Sequence, residues 1–202
     1  MNKKEQVKER IGQAAMECFE RYGLEKTTLD DIAKAVGLNK TSLYYYYKNK
    51  EDIFIEVAIR EGESFINTLQ QSTLKKKGVE HQIGFYLESR LNYYTNVLNM
   101  NRVSVESLDK ILPRFFELYD AMMLQEKDFL TKLLVQAIAR EQLDMEDPEN
   151  TASVLINFAN ALKHSTEQQA ILKKQVEIDY AQSLRDTKFL VSLIFKGIRK
   201  QG

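Results

Sequence analysis

A chain of 202 residues, 44% of them hydrophobic and with only two prolines and eight glycines, can fill a core and leaves room for long helices. Its formal charge is zero, 29 basic against 29 acidic side chains, which at first argues against a nucleic-acid partner. One cysteine excludes an intrachain disulfide.

The zero hides an asymmetry. Residues 1–50 hold ten Lys and Arg against seven Asp and Glu, a net +3, so residues 51–202 carry the balancing −3. In chain order, MNKKEQVKER opens with charges that no apolar run follows, so no secretory signal is read there. Ile11, Ala14, Ala15, Cys18 and Phe19 then form the apolar stripe of a first helix ending at Tyr22–Gly23, with Cys18 expected as a buried, inert thiol. Thr28 followed three residues later by Asp31 reads as the capping box of a second helix, whose inner face is Leu29, Ile32, Ala33 and Val36. Gly37 suits the positive φ needed just past that helix, and Asn39 caps a third one, expected from Lys40 to about Tyr47. Leu43 and Tyr47 are four apart and should face inward; Ala33 must be small where the two short helices cross. This is a helix-turn-helix pattern.

The tyrosines sharpen it. Four of the ten in the chain stand at 44–47, with Lys48 and Lys50 behind them. A helix cannot turn four consecutive residues toward one core, so at least two phenols must be exposed or half-exposed. Exposed phenols beside ammonium groups suit phosphates and base edges. The expected DNA contacts are Lys40, Thr41, Ser42, Tyr44 and Tyr45 on bases or neighbouring phosphates. Tyr46, Lys48 and Lys50 are expected on the backbone, and Thr28 beside a phosphate at the start of the second helix.

From Ile11 to Phe54, the run IGQAAMECFERYGLEKTTLDDIAKAVGLNKTSLYYYYKNKEDIF resembles the tetracycline-repressor (TetR) family of bacterial transcription regulators. The matching stretches are Phe19 to Gly23, Thr27 to Gly37 and Leu43 to Ile53. Two positions depart from the family pattern: Tyr47 stands where phenylalanine is usual, so its hydroxyl needs solvent or a partner, and Gly12 stands where a helix former is common. The resemblance implies an all-helical homodimer with two DNA-binding heads on an inverted-repeat operator. A larger C-terminal domain would bind a small molecule, supply the dimer interface and release the operator when the effector binds.

The remaining residues read as helices. A fourth is expected from about Lys50 to Leu74, ended by Lys75-Lys76-Lys77-Gly78, whose cations suit a solvated helix terminus. The next carries Ile83, Leu87, Leu91, Tyr94 and Leu98. A short segment at 103–112 leads to Pro113, expected to start a long helix to about Gln142. Asp147-Pro148 opens another, with Leu155, Phe158, Ala159 and Leu162 on its face. The polar stretch 165–174 is expected to break the chain before a last helix carrying Ile178, Ala181, Leu184, Leu190, Leu193, Ile194 and Ile198. No strand pattern, repeat or low-complexity tract is read. The fold class is therefore all-α, with a three-helix head at 1–50 and a helical domain at 51–202; the resemblance implies that the latter is the effector-binding and dimerisation domain, with the last two helices as the dimer surface.

Aromatic and thioether side chains crowd the middle of the chain. Phe65, Tyr86, Tyr93, Tyr94, Phe116, Tyr119, Met123 and Phe158, with Arg90 as a polar contact, are the expected effector-binding residues, for a mainly apolar or amphipathic molecule. For any single one of them, a plain core position is the stronger expectation. His164 near a helix end reads as a capping or solvated residue. An enzyme is not expected: two distant histidines, a lone cysteine on a core face, no paired-cysteine metal motif and no glycine-rich phosphate loop offer no catalytic constellation. Neither a metal nor another cofactor is expected. FLVSLIF at 189–195 is too short to span a bilayer, so a cytoplasmic protein is expected. A helical ligand-binding or scaffold protein without DNA binding would account for the C-terminal portion but not for residues 27–50.

Overall fold

The computed structural model describes residues 2–175 and 177–198, apart from the side chains of 116–121. The described chain is all-α. Its helices are α1 (Lys3–Tyr22), α2 (Leu29–Val36), α3 (Lys40–Tyr46), α4 (Lys50–Leu74), α5 (Val79–Met100), α6 (Val105–Ala139), α7 (Pro148–Leu172) and α8 (Ala181–Ile198). By packing they form two compact units. One joins Met1–Gly62 with Thr95–Leu118, and the other joins Glu63–Tyr94 with Tyr119–Gly202. The first unit thus extends past residue 50, because Ile53, Phe54, Ile55 and Val57 at the start of α4 and Ile111 of α6 are buried in the same core as Ile11, Phe19, Ile32 and Leu43.

The short helices start and stop where their caps dictate. Thr28 Oγ1 accepts the Asp31 N–H (3.2 Å), and Asp31 Oδ2 accepts the Thr28 N–H (2.9 Å), which completes the capping box. Gly37 takes the left-handed conformation (φ 73°, ψ 31°), and the Leu38 N–H then reaches Ala33 O at 2.8 Å. Asn39 Oδ1 accepts the Ser42 N–H at 2.7 Å to open α3. Tyr47 is extended (φ −141°) and ends it. Gly12 is buried in α1 for a reason of space. A Cβ there would lie 2.6 Å from Val57 Cγ2, so the glycine permits the close approach of α1 and α4.

Three helix boundaries differ from expectation. Pro113 does not start a helix; it lies inside α6, which begins at Val105. A mid-helix proline costs about 3 kcal/mol, because it cannot donate to the carbonyl four residues back and its ring crowds that turn. Val105, Leu108 and Ile111 of the preceding turns are all buried, each contributing about 1.5–3 kcal/mol, and together they outweigh it. Ser104 Oγ accepts the Ser107 N–H at 3.1 Å where α6 begins. The stretch 165–174 is not a break, for α7 runs on to Leu172. Two of its hydrophilic residues face inward: Glu167 is buried with Lys163 of the preceding turn, and Thr166 shares a 2.7 Å hydrogen bond with Ser183 of α8. Ile178 lies before α8, whose first residue, Ala181, donates its N–H to Asp179 Oδ1 at 2.8 Å. Among the described residues no helix is long and apolar enough to cross a membrane.

Candidate functional site

Helix α3 is mounted on the first unit by Leu43 and Tyr47, both buried, and turns Tyr44 and Tyr45 outward, 48% and 74% exposed. Lys40, Thr41 and Lys48 are exposed beside them; Ser42 and Tyr46 are half-buried, with Tyr46 packed against the core. The Tyr45 and Tyr46 rings meet edge to face at 5.1 Å. Four consecutive phenols therefore divide as a helix must divide them, two out, one in and one between.

The Tyr47 hydroxyl has a partner. It donates to Glu56 Oε1 at 2.8 Å, and Lys8 Nζ donates to Glu56 Oε2 at 2.6 Å while lying 4.9 Å over the Tyr47 ring. Burial first, and then the hydrogen bond to Glu56, push this phenol far above its ordinary pKa, so it stays neutral. Burial likewise raises the Cys18 thiol, reinforced by Asp31 and Glu17.

Three expected contacts are engaged within the protein: Lys50, Thr28 and Lys40. Lys50 Nζ donates to Glu25 O at 2.7 Å and to Thr27 O at 2.9 Å, which ties the start of α4 to the segment before α2. The Thr28 hydroxyl donates to Asp31 Oδ2 at 2.6 Å while accepting the Asp31 N–H. These bonds hold the Asp31 carboxyl below its ordinary pKa. The same segment is fastened elsewhere. Thr27 Oγ1 donates to Gly23 O at 2.9 Å, the Leu24 N–H donates to Asn101 O at 3.1 Å, and the Glu25 carboxylate accepts from the hydroxyls of Ser104 and Ser107. Sequence reading missed Lys4, whose ammonium lies 5.8 Å over the Tyr45 ring; the opening charge run was its only signal. It also missed Asp30, which meets Lys40 at 3.1 Å across the turn.

The effector-binding candidates of the second unit are partly brought together. Phe65 and Tyr93 stack at 3.9 Å with planes 7° apart. Tyr86 is fully buried and donates to Glu126 Oε1 at 3.1 Å, and Arg90 Nε lies 2.7 Å from the same oxygen. The Tyr94 ring carries the Lys163 ammonium 3.9 Å above it and meets Tyr180 edge to face. Met123 instead lines a cavity of about 350 Å³ with Leu124, Lys127, Ser153, Ile156 and Asn157. Phe158 is on an open face of α7, 48% exposed, because Leu155 and Ile156 take the buried positions of that turn. Phe116 and Tyr119 lie outside the described side chains.

Around the aromatic residues is a polar cluster that apolar periodicity could not reveal. Glu167 is fully buried and receives Lys163 Nζ at 3.1 Å and the Tyr180 hydroxyl at 3.0 Å. His164 Nδ1 lies 2.9 Å from it, so His164 is an inward partner rather than a solvated cap. Burial opposes the Glu167 charge, but the His164 hydrogen bond and the Lys163 ammonium outweigh it and keep the carboxyl below its ordinary pKa. Burial lowers the Lys163 pKa, with Glu167 acting against that fall.

Residues 11–57 match the family model of bacterial regulatory proteins, tetR family. The negative transcriptional regulator IcaR of the biofilm operon icaADBC from Staphylococcus epidermidis is 48% identical over 48 residues, 24% of this chain and 26% of IcaR. The chain thus spans about a quarter of the length of the curated relatives it matches. Solved structures extend the likeness of fold to nearly the whole chain. A TetR-family transcriptional regulator from Pectobacterium atrosepticum superposes with a TM-score of 0.73 at 13% identity, over 100% of this chain and 99% of that one. SmeT, repressor of the Stenotrophomonas maltophilia multidrug efflux pump SmeDEF, superposes with a TM-score of 0.59 at 19% identity, over 96% and 91%. SmeT in complex with triclosan gives 0.58 at 19% identity, over 98% and 93%.

Proposed function

We propose, from the premise of a TetR-family head on a TetR-type helical fold, that this chain is a DNA-binding transcriptional regulator. It binds an inverted-repeat operator as a homodimer and represses until a small, mainly apolar or amphipathic effector releases it. Such a protein works in the cytoplasm, with the chromosome. The single observation that carries the reading is the outward pair Tyr44 and Tyr45 on a short helix anchored by Leu43 and Tyr47.

Helix α3 enters the major groove, where Lys40, Thr41, Ser42, Tyr44 and Tyr45 touch bases or adjacent phosphates. Tyr46 and Lys48 hold the backbone, and the first N–H groups of α2, behind Thr28, face a phosphate. Lys50 acts from behind: with its ammonium on the Glu25 and Thr27 carbonyls, it sets where α2 begins. A second copy of the chain is favoured by the open apolar positions of the last two helices. Val154 and Phe158 on α7 and Phe189 and Leu193 on α8 are each four residues apart and exposed. For the effector, the stacked Phe65–Tyr93 pair suits a flat apolar group, and the Arg90, Glu126, Lys163 and Glu167 cluster suits a polar end. The TetR-type fold also holds triclosan in SmeT.

Electrophoretic mobility shift with the DNA upstream of the chain's own gene and its neighbours tests the reading. Retardation that a scrambled duplex does not compete, and that Tyr44→Ala weakens, is the expected result. Uniform retardation of every duplex, or none, overturns it.

A further inference from the structure

The helix that carries the outward phenols begins with a tethered cation. Lys40, its first residue, holds its ammonium 3.1 Å from Asp30 Oδ2 on α2 and 6.0 Å from the Tyr44 ring centre. Asp30 has no part in the capping box, which Asp31 forms with Thr28. Its other oxygen, Oδ1, is shut off from solvent without a hydrogen-bond partner. The pair itself is open to water, and exposed ion pairs do little for stability. A carboxylate on a surface meant for phosphates also weakens DNA binding, because it cancels one cation that would displace counterions. Neither the stability of the pair nor DNA affinity thus explains why Asp30 holds Lys40.

Selectivity explains it. An untethered lysine is a mobile point charge on a long stem and settles on whichever phosphate is nearest. Asp30 removes that freedom and fixes the ammonium at the leading end of α3. We propose that Asp30 is a specificity-determining positioning residue, which withholds Lys40 from the sugar–phosphate backbone and presents it to a base edge. The proposal rests on the DNA-binding reading above. Asp30 also sits in the first turn of α2, where a negative charge favours the helix by itself, so the test must separate an effect through Lys40 from an effect of charge alone.

The full-length wild-type protein first enriches a duplex from a randomised library. Binding to that duplex and to a scrambled one of equal composition is then measured over a salt series for wild type, Asp30→Asn, Lys40→Ala and the double variant, with thermal denaturation confirming the fold of each. Asp30→Asn is expected to strengthen scrambled-duplex binding and to steepen its salt slope by about 0.9, one added phosphate contact. Its ratio of enriched to scrambled affinity should fall on the order of ten-fold, as for one lost base contact. In the Lys40→Ala background, Asp30→Asn should leave that ratio unchanged. Equal gains on both duplexes in wild type, or the same loss of ratio with and without Lys40, overturn the proposal while leaving DNA binding intact. A wild-type protein that enriches no sequence overturns the DNA-binding reading, and this inference with it.

Discussion

Tyr47 shows what one oxygen changes. A phenylalanine would fill the same buried position, so the hydroxyl adds only its bond to Glu56, which Lys8 also holds. Tyr47→Phe should therefore lower stability by about 0.5–1.5 kcal/mol, toward the smaller figure because Glu56 is partly solvated and keeps Lys8; urea denaturation at fixed protein concentration measures it. Cys18 offers a second check. Its burial and its raised thiol pKa leave less thiolate at neutral pH than an ordinary cysteine has. Alkylation should be slow in buffer, rise as pH passes above the usual thiol range and become fast in denaturant. Rapid labelling of the native protein at neutral pH would contradict this placement. At this scale the sequence was legible wherever partners are three or four residues apart, as in Thr28 with Asp31 or Leu43 with Tyr47. Asp30 with Lys40, and Lys50 with the Glu25 carbonyl, depend on how elements cross, and no local spacing announces them.

Among the elements, α1 and α4 are held close by an absent side chain. Alanine is the better helix former by up to about 1 kcal/mol, so by propensity Gly12→Ala should stabilise α1. The stiff Val57 side chain in the way of the new methyl reverses the sign. Overpacking of this kind costs about 1–3 kcal/mol, and a net loss is expected. Val57→Ala in the same chain should recover part of it; thermal denaturation of the two single variants and the double variant gives the coupling. The boundaries of α2, α3 and α4 and the start of α7 could be read from the sequence because caps, glycine and the Asp147-Pro148 pair mark them. The start of α6 and the end of α7 could not. Pro113 reads as a start only if the burial of Val105, Leu108 and Ile111 is unknown, and Glu167 reads as solvent-facing only if Lys163, His164 and Tyr180 are not seen around it.

For the molecule as a whole, α8 carries the sharpest expectation of assembly. Phe189 is 64% exposed and stands four residues from the exposed Leu193, an apolar pair that the proposed dimer would cover. Phe189→Glu should remove about 1.5–3 kcal/mol of burial per protomer before the desolvation of the new charge is counted. Sedimentation equilibrium should then show monomers, and operator affinity should fall with them. A variant that stays dimeric would move the interface elsewhere. The effector-binding candidates were only partly legible for a related reason: aromatic letters mark where apolar mass lies, as with Phe65 and Tyr93, but not that buried acids such as Glu126 and Glu167 stand among them. One feature of the first unit bears on any attempt at chimeric regulators. Its core draws on two separated stretches of chain, and the loop before α2 is latched by Asn101, Ser104 and Ser107 of the second. A graft cut after the third helix would strip the donor of Ile53, Phe54 and those latches at once. A transplantable reader of DNA from this protein must carry both stretches, joined by a new linker.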